Sequence, residues 1–383
     1  MKSFSAKSNI VLGLILLAST LSFFSVENSK VKVKQRWYTE KLRAATLTVD
    51  AMGYLKDYRL KNGIFIDVVN DPNETGIIGQ EYTMITTDRG YIDAKLSTTN
   101  PNFAAAIVDM LKEAGLKKND NVAIACTGSF PALNIAMLAA AEVLELKPII
   151  ITSIGASNFG ANDPYFTWLD MEQYLYSKGV FKNRSIAASI GGGSDRGRGL
   201  SPEGRNLIIN AIKRNKVEFI NEYYLDNSIE RRMKIYSEKS KGDEIKAYIN
   251  IGGGIASLGS SINGKIIASG LTKILDLQNF PVRGVIVKMA QKNIPIIHLL
   301  NISNILDKYK LPSAPVPLPE PGEGEIFFQL KYNVLLTSII TLIMLILVGT
   351  VYVVDKRHHK LGSEFISRSS VKNQPVVKLK TAV

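Results

Sequence analysis

The stretch Tyr248-Ile-Asn-Ile-Gly-Gly-Gly-Ile-Ala-Ser-Leu-Gly259 is an apolar run that ends at three glycines, and Ser185-Ile-Ala-Ala-Ser-Ile-Gly-Gly-Gly-Ser-Asp-Arg-Gly-Arg-Gly199 repeats the pattern. Glycines at the end of a strand remove side-chain clashes, so the backbone N–H groups can approach another group closely. Where a helix follows, those N–H groups and the helix dipole favour an anion. The two loops therefore predict a shared cleft for a phosphate or carboxylate, with two tight turns of an α/β sheet as the alternative. The predicted backbone donors are Gly191, Gly192, Gly193, Gly252, Gly253 and Gly254.

Short apolar strands alternate with helices along the chain. The best unit is a strand over Asn121–Cys126, a helix over Ala132–Leu144 and a second, parallel strand over Pro148–Thr152. This alternation predicts one three-layer, Rossmann-like α/β domain with a mostly parallel sheet. Thr127 and Ser129 follow the first strand, where open α/β sheets bind ligands, so both are candidate ligand-binding residues. The alternative is that their hydroxyls only cap the helix.

The loop that follows the first triglycine contains the sharpest group of charged residues. Arg196 and Arg198 could hold a carboxylate or phosphate with paired hydrogen bonds above the glycine N–H groups. Asp195 is the candidate general base, or else a partner of one of these arginines. Ser257 lies after the second triglycine and is a further candidate ligand-binding residue, although as a nucleophile it would need a base that the sequence does not identify.

Several kinds of chemistry are excluded by composition. The single cysteine, Cys126, permits no intramolecular disulfide and lies in an apolar run typical of a buried strand. His298 is the one histidine before the C-terminal tail, so there are almost no histidines for imidazole catalysis or for a histidine-rich metal site. Neither glycine loop matches a P-loop or a dinucleotide fingerprint. We therefore expect no metal and no cofactor.

The formal net charge of +13 is unevenly distributed. Residues 31–330 contain 36 Lys and Arg against 31 Asp and Glu, whereas residues 355–383 contain seven against two. The excess lies beside an apolar segment, which indicates membrane topology and not nucleic-acid binding.

Both ends of the chain contain an apolar segment. Ile10–Phe24 follows Lys2 and Lys7 and is predicted to be a retained anchor, with a cleaved signal peptide as the alternative. Val334–Val354 is uncharged and long enough to span a bilayer, and the basic residues after it place the tail in the cytoplasm.

These segments predict a two-pass protein of the cytoplasmic membrane with both termini inside and the main domain outside. The predicted divisions are a membrane anchor (1–30), an extracytoplasmic α/β domain (31–310), an extended proline-rich linker (311–330), a transmembrane helix (331–355) and a basic cytoplasmic tail (356–383).

Thr127-Gly-Ser-Phe-Pro-Ala-Leu-Asn134, Ser153-Ile-Gly-Ala-Ser-Asn158, both glycine loops and the two terminal apolar segments resemble the bacterial poly-gamma-glutamate system protein family over nearly the whole chain. Members are associated with synthesis and export of this capsule-type polymer, together with a membrane-bound ligase and its small membrane partner. The resemblance assigns no catalytic residues. It implies an accessory protein that binds or guides an anionic polymer, with the poly-gamma-glutamate synthase membrane subunits and the lipid bilayer as partners. The alternatives are an extracytoplasmic hydrolase or transferase that trims, releases or attaches the polymer, and a scaffold with an empty cleft.

Overall fold

The computed structural model describes residues 6, 8–277, 280 and 282–372, with the helix backbone alone after residue 361. The chain forms two compact units, one of Lys34–Phe328 and one that combines Met1–Val33 with Gln329–Val383. The strands are β1 (Val31–Lys34), β2 (Thr86–Asp88), β3 (Asn121–Thr127), β4 (Lys147–Ser153), β5 (Ala156–Ser157), β6 (Ala187–Ser189), β7 (Glu218–Phe219), β8 (Ile245–Ile251), β9 (Gly270–Thr272), β10 (Ile296–Leu299) and β11 (Phe328–Lys331). The helices are α1 (Asn9–Glu27), α2 (Tyr38–Lys61), α3 (Ile92–Thr98), α4 (Phe103–Glu113), α5 (Pro131–Val143), α6 (Trp168–Ser177), α7 (Pro202–Arg214), α8 (Leu225–Lys239), α9 (Ile255–Leu258), α10 (Asn263–Ile266), α11 (Val285–Ala290), α12 (Ile302–Tyr309) and α13 (Val334–Lys372).

A seven-stranded sheet in the order β7-β6-β4-β3-β8-β10-β9 organises the larger unit. Every neighbouring pair from β7 to β10 is parallel, and β9 alone runs antiparallel to β10. β3, α5 and β4 form the parallel unit expected from the sequence, with Ala123 opposite Ile149. The predicted mixed α/β fold with a mostly parallel sheet is confirmed.

The central strand β3 is buried on both faces. Val122, Ile124 and Cys126 join a core cluster that includes α2, α4 and α5, whereas Ala123 and Ala125 join a second cluster with α8 and α11. Because side chains alternate across a strand, successive residues must enter opposite clusters. This explains the uninterrupted apolar sequence, which is typical of a parallel strand covered on both sides. Cys126 is a free, buried thiol, as expected.

The proline-rich segment differs from its expected form. Residues 311–328 belong to the same compact unit as the sheet. The amide N–H of Ala314 donates to Ser97 Oγ at 2.9 Å, and Asn73 Nδ2 donates to the carbonyl of Pro315 at 2.8 Å. An extended polyproline-type chain makes no hydrogen bonds of its own, so its carbonyls are free to accept from neighbouring side chains. The segment is therefore held on the body and is not a free spacer.

The terminal helices α1 and α13 belong to the other unit, in which β1 pairs with β11. Asn9–Glu27 and Val334–Leu361 have mean hydropathies of 2.0 and 2.7 and are exposed, so by length and composition each could cross a membrane. α13 continues beyond the predicted end at residue 355 as far as Lys372. Lys2, Lys7 and the last part of the predicted tail, 373–383, lie outside the described residues.

Candidate functional site

The order of the strands reverses between β3 and β8, which lie side by side in the sheet. From β3 the chain adds β4, β6 and β7 on one side, and then β8 and β10 on the other. β3 leads into α5, whose residue Leu133 packs in the first core cluster. β8 leads into α9, whose residue Leu258 packs in the second cluster, on the opposite face. Open α/β sheets bind ligands in the crevice that forms where neighbouring strands connect to opposite faces. The carboxyl ends of β3 and β8 therefore form a candidate ligand-binding crevice.

Thr127, the last residue of β3, contributes an unsatisfied hydroxyl at this crevice. Thr127 is 4% exposed, and its Oγ1 has no hydrogen-bond partner within the described part of the chain. Gly252 lies against it, with a φ of 84° and no space for a side chain, because a Cβ would come within 2.4 Å of Thr127 Oγ1. A buried polar atom without a partner costs about 1–3 kcal/mol. Such an atom at a switch point keeps Thr127 as a candidate ligand-binding residue.

The two triglycine turns meet at Ser153, the last residue of β4. A Cβ on Gly254 would lie 3.7 Å from Ser153 Oγ, and a Cβ on Gly191 would lie 3.1 Å from Ser153 Cβ. The structure therefore brings both turns to the same edge of the sheet. Ser153 links them, and the sequence analysis did not select it as a site residue.

The two turns differ in backbone structure. After Gly252–Gly254 the chain enters the four-residue helix α9 at once, whereas the first turn folds back so that Gly191 bridges to Arg196. In that loop the amide N–H groups from residue 195 to residue 198 donate to carbonyls of Gly191, Gly192 and Gly193. Gly193 also pairs with Arg198 in an antiparallel bridge, so the first turn is closed by its own backbone hydrogen bonds.

Asp195 lies beneath this loop in a closed polar network. Its carboxylate accepts hydrogen bonds from the hydroxyls of Ser153 at 3.2 Å, Ser189 at 2.7 Å and Ser228 at 2.6 Å. The guanidinium of Arg232 on α8 donates to the same carboxylate at 2.7 Å, and both side chains of the ion pair are at most 4% exposed. Each of the two carboxylate oxygens therefore accepts two hydrogen bonds.

The expected role of Asp195 is therefore different. Its cationic partner is Arg232, 37 residues away, and not Arg196 or Arg198. Burial alone would lower the pKa of Arg232, but attraction to Asp195 and their hydrogen bond outweigh burial, so the pKa is raised. Arg232 and the three hydroxyls use the acceptor sites of both carboxylate oxygens, which leaves none for a substrate. Asp195 is a structural residue of the loop and not the general base suggested by the sequence.

Arg196 and Arg198 lie on the outer side of the loop. The Arg196 guanidinium lies 4.3 Å from the ring centre of Tyr223, which is 67% exposed. Arg198 is exposed, and neither arginine forms an ion pair with any residue that the structure describes. Because Asp195 is neutralised below, the surface of the loop is cationic. We call Arg196, Arg198 and Tyr223 the cationic rim.

The other candidates lie apart from this rim. Ser257 Oγ is buried and hydrogen-bonded to Tyr248 OH at 2.6 Å. Ser129 Oγ accepts from the amide N–H of Ser157 at 3.0 Å. His298 is buried beside Asn250, and burial lowers its pKa to about 4, so its ring is neutral at pH 7. Ser257 and His298 therefore have structural surroundings.

Arg232 and Ser228 are site residues that the sequence analysis missed, although a signal exists. Ile229, Arg232 and Ile235 share one buried stripe of α8, with Ser228 beside it. A charged residue in the middle of an apolar stripe requires a buried partner of opposite charge.

Among the described residues no group of three or more metal-ligating side chains occurs. The chain matches no protein-family model, no curated protein and no solved structure.

Proposed function

We propose that this chain is a membrane-anchored accessory component of poly-gamma-glutamate biosynthesis or export, and that its α/β body binds or guides the anionic polymer. The observation that carries the proposal is the cationic rim at the carboxyl edge of the sheet. Two arginines that form no ion pair with any described residue lie there, while the one acidic residue of the loop is neutralised below them.

The chemistry of the rim suits a chain of repeated carboxylates. Arginine binds a carboxylate with two parallel hydrogen bonds, and an aromatic ring holds the guanidinium in a defined orientation. Each exposed contact contributes about 1 kcal/mol or less, so a single carboxylate is held weakly. A polymer that presents many carboxylates binds more tightly than one group and still slides, because each contact exchanges quickly.

The finer architecture is part of the same proposal. Helices on both faces of the parallel sheet support a three-layer, Rossmann-like domain. We infer that α1 and α13 span the cytoplasmic membrane, that α1 is retained as an anchor, and that both termini are cytoplasmic. The body is then extracytoplasmic, where it would act beside the membrane subunits of the polymer synthase.

Binding is tested on the full chain in detergent micelles with fluorescent poly-gamma-glutamate, by anisotropy at low and high salt. Replacing Arg196 and Arg198 by Gln is expected to weaken binding about tenfold or more and to reduce its salt dependence. The matched control replaces the half-exposed Arg231 and the exposed Lys234, two cations of α8, by Gln and changes the net charge equally. Equal weakening in both pairs, or no binding by the native chain, would contradict the proposal.

Topology is tested by labelling introduced cysteines with a membrane-impermeant maleimide on intact cells. Cys126 is the one native cysteine and is buried, so the background is low. Lys241→Cys on the exposed surface of the body is expected to label, whereas His359→Cys is expected to label only after lysis. The reverse pattern would refute the inferred orientation.

A further inference from the structure

A second group of reactive side chains lies at the same edge of the sheet. Lys95, on α3, is 2% exposed. Its Nζ donates to Ser157 Oγ at 2.9 Å and to the carbonyl of Ser129, and it lies 3.9 Å from the ring centre of Phe130. No carboxylate of the described chain forms an ion pair with it. A buried lysine without an acidic partner is unusual, because burial of an uncompensated charge is costly.

Burial shifts Lys95 towards its neutral amine. Burial lowers its pKa to about 7, and no charged group is resolved as a cause of the shift. The titratable residues on the adjoining segments, Asp88, Arg89, Tyr91 and Asp93, are all exposed. A substantial fraction of the amine is therefore unprotonated near neutral pH and can accept a proton from a hydroxyl in contact with it.

Ser157 comes from a segment that leaves the carboxyl edge of the sheet, where open α/β folds bind ligands. Ser129 lies in the turn after β3, and Ser157 ends the short strand β5, which begins three residues after β4 ends. The amide N–H of Ser157 donates to Ser129 Oγ, which fixes the backbone at the hydroxyl. Ser157 retains 8% of its surface, against 2% for Lys95. Ser157 is therefore the less deeply buried residue of the pair.

Gly90 packs closely against this hydroxyl and leaves no room for a side chain of its own. A Cβ at Gly90 would lie 2.9 Å from Ser157 Oγ, 3.3 Å from Lys95 Cε and 2.8 Å from the carbonyl oxygen of Asn158. Gly90 does not have a positive φ, so its backbone conformation does not require glycine. What the glycine provides is the absence of a side chain directly against the pair.

We propose that Ser157 and Lys95 form a serine–lysine dyad for acyl transfer, acting on the carbonyl carbon of an amide or ester. The contact between the two side chains, the missing side chain at Gly90 and the position at the carboxyl edge support it together. The dyad is distinct from the cationic rim and does not depend on polymer binding.

The reaction is balanced within the dyad, the acyl substrate and water. Neutral Lys95 Nζ takes the proton of Ser157 as Oγ bonds to the acyl carbon, and the carbonyl π pair moves to oxygen. When that pair returns, the bond to the amine or alkoxide leaving group breaks, and the leaving group takes the proton from the Lys95 ammonium. Water then attacks the acyl-serine, Lys95 accepts its proton, and the proton returns to Ser157 Oγ as the acid leaves.

The dyad is tested on the full chain in detergent micelles with a fluorophosphonate probe, which a nucleophilic serine attacks with loss of fluoride. Intact mass and peptide mapping are expected to show one adduct, at Ser157, whose formation rate rises with pH around a midpoint near 7. Ser157→Ala is expected to abolish the adduct. Ser237→Ala removes an exposed, remote serine and is expected to leave it unchanged.

Lys95→Arg separates catalysis from structure. Arginine can keep the charge and the donors that hold Ser129 and Ser157, but it cannot act as a base at pH 7. We expect labelling to fall at least 100-fold while the urea unfolding midpoint stays near that of the native chain. If Lys95→Arg unfolds the chain, the second variant is Gly90→Ala. Its added methyl group covers Ser157 Oγ, so it is expected to slow labelling. Labelling that survives Lys95→Arg in a folded chain, an adduct on another serine, or no adduct on the native chain would overturn the dyad.

Discussion

The buried pair of Asp195 and Arg232 makes the sharpest prediction about the loop. Each side chain is at most 4% exposed, and the pair is joined at 2.7 Å. Asp195→Asn leaves a buried guanidinium without its counter-ion, and Arg232→Met leaves a buried carboxylate with hydroxyl partners only. Breaking one side of a buried pair typically costs about 3–5 kcal/mol.

The double variant Asp195→Asn, Arg232→Met distinguishes the pair from two independent contributions. Additive effects would sum to about 6–10 kcal/mol, comparable to the whole stability of a typical domain. Because the double variant contains neither unpaired charge, we expect it to cost little more than one single variant. The coupling free energy between the two positions should therefore be about 3 kcal/mol or more.

The assay is urea unfolding of the full chain in detergent micelles, followed by tryptophan fluorescence. Both tryptophans, Trp37 and Trp168, lie within Lys34–Phe328, so the signal reports on the body and not on the terminal helices. The matched control is the half-exposed pair of Arg231 and Glu218, for which Arg231→Met with Glu218→Gln should give a coupling of about 1 kcal/mol or less. If effects at Asp195 and Arg232 add within about 0.5 kcal/mol, the closed network is refuted.

Three further predictions use the same unfolding assay. Gly252→Ala should cost about 2 kcal/mol or more, because its φ is 84° and its Cβ would contact Thr127 Oγ1, whereas Gly253→Ala, with open space around it, should cost under about 1 kcal/mol. Between about pH 7 and 10.5 the unfolded chain binds a proton at Lys95 that the folded chain does not, so stability should rise with pH in this window, and the rise should be smaller in Lys95→Met. Burial raises the pKa of Glu172 to about 7, so the folded chain holds a proton that the unfolded chain releases above about 4.5. The stability of the native chain relative to Glu172→Gln should therefore fall as the pH rises from 4.5 to 7. A constant difference in stability across this range would contradict the prediction.

The sheet could be predicted because the local sequence of its main strands is typical of buried strands. β3, β4 and β8 are seven-residue apolar strands, and β3 and β8 run directly into glycine-containing turns. β9 could not be predicted, because a three-residue segment from Gly270 to Thr272 has no periodicity of its own and pairs only where β10 offers an edge. The proline-rich segment was expected to be an extended linker, since composition shows that a chain is extended but not what it packs against.

The reactive pair of Lys95 and Ser157 had no sequence signal. The two residues are 62 positions apart, and Lys95 is an ordinary polar residue in a short helix. Its burial depends on α3 packing beside the turn after β3, which is a tertiary property. Its altered pKa arises from burial alone, so no neighbouring acid in the sequence could reveal it.

The error at Asp195 shows how the loop produces its charge. The sequence places Asp195 beside Arg196 and close to Arg198, which suggests a local ion pair. In the structure Ser194 and Asp195 have positive φ values of 56° and 60°, and Asp195 is buried while Arg198 is exposed. An ion pair between Asp195 and either arginine would have left the surface nearly neutral. Because Arg232 neutralises the carboxylate from below, the charges of the two outer arginines are not cancelled by Asp195. Under the proposed function, anion binding at the rim would therefore depend on a buried residue that the ligand does not touch.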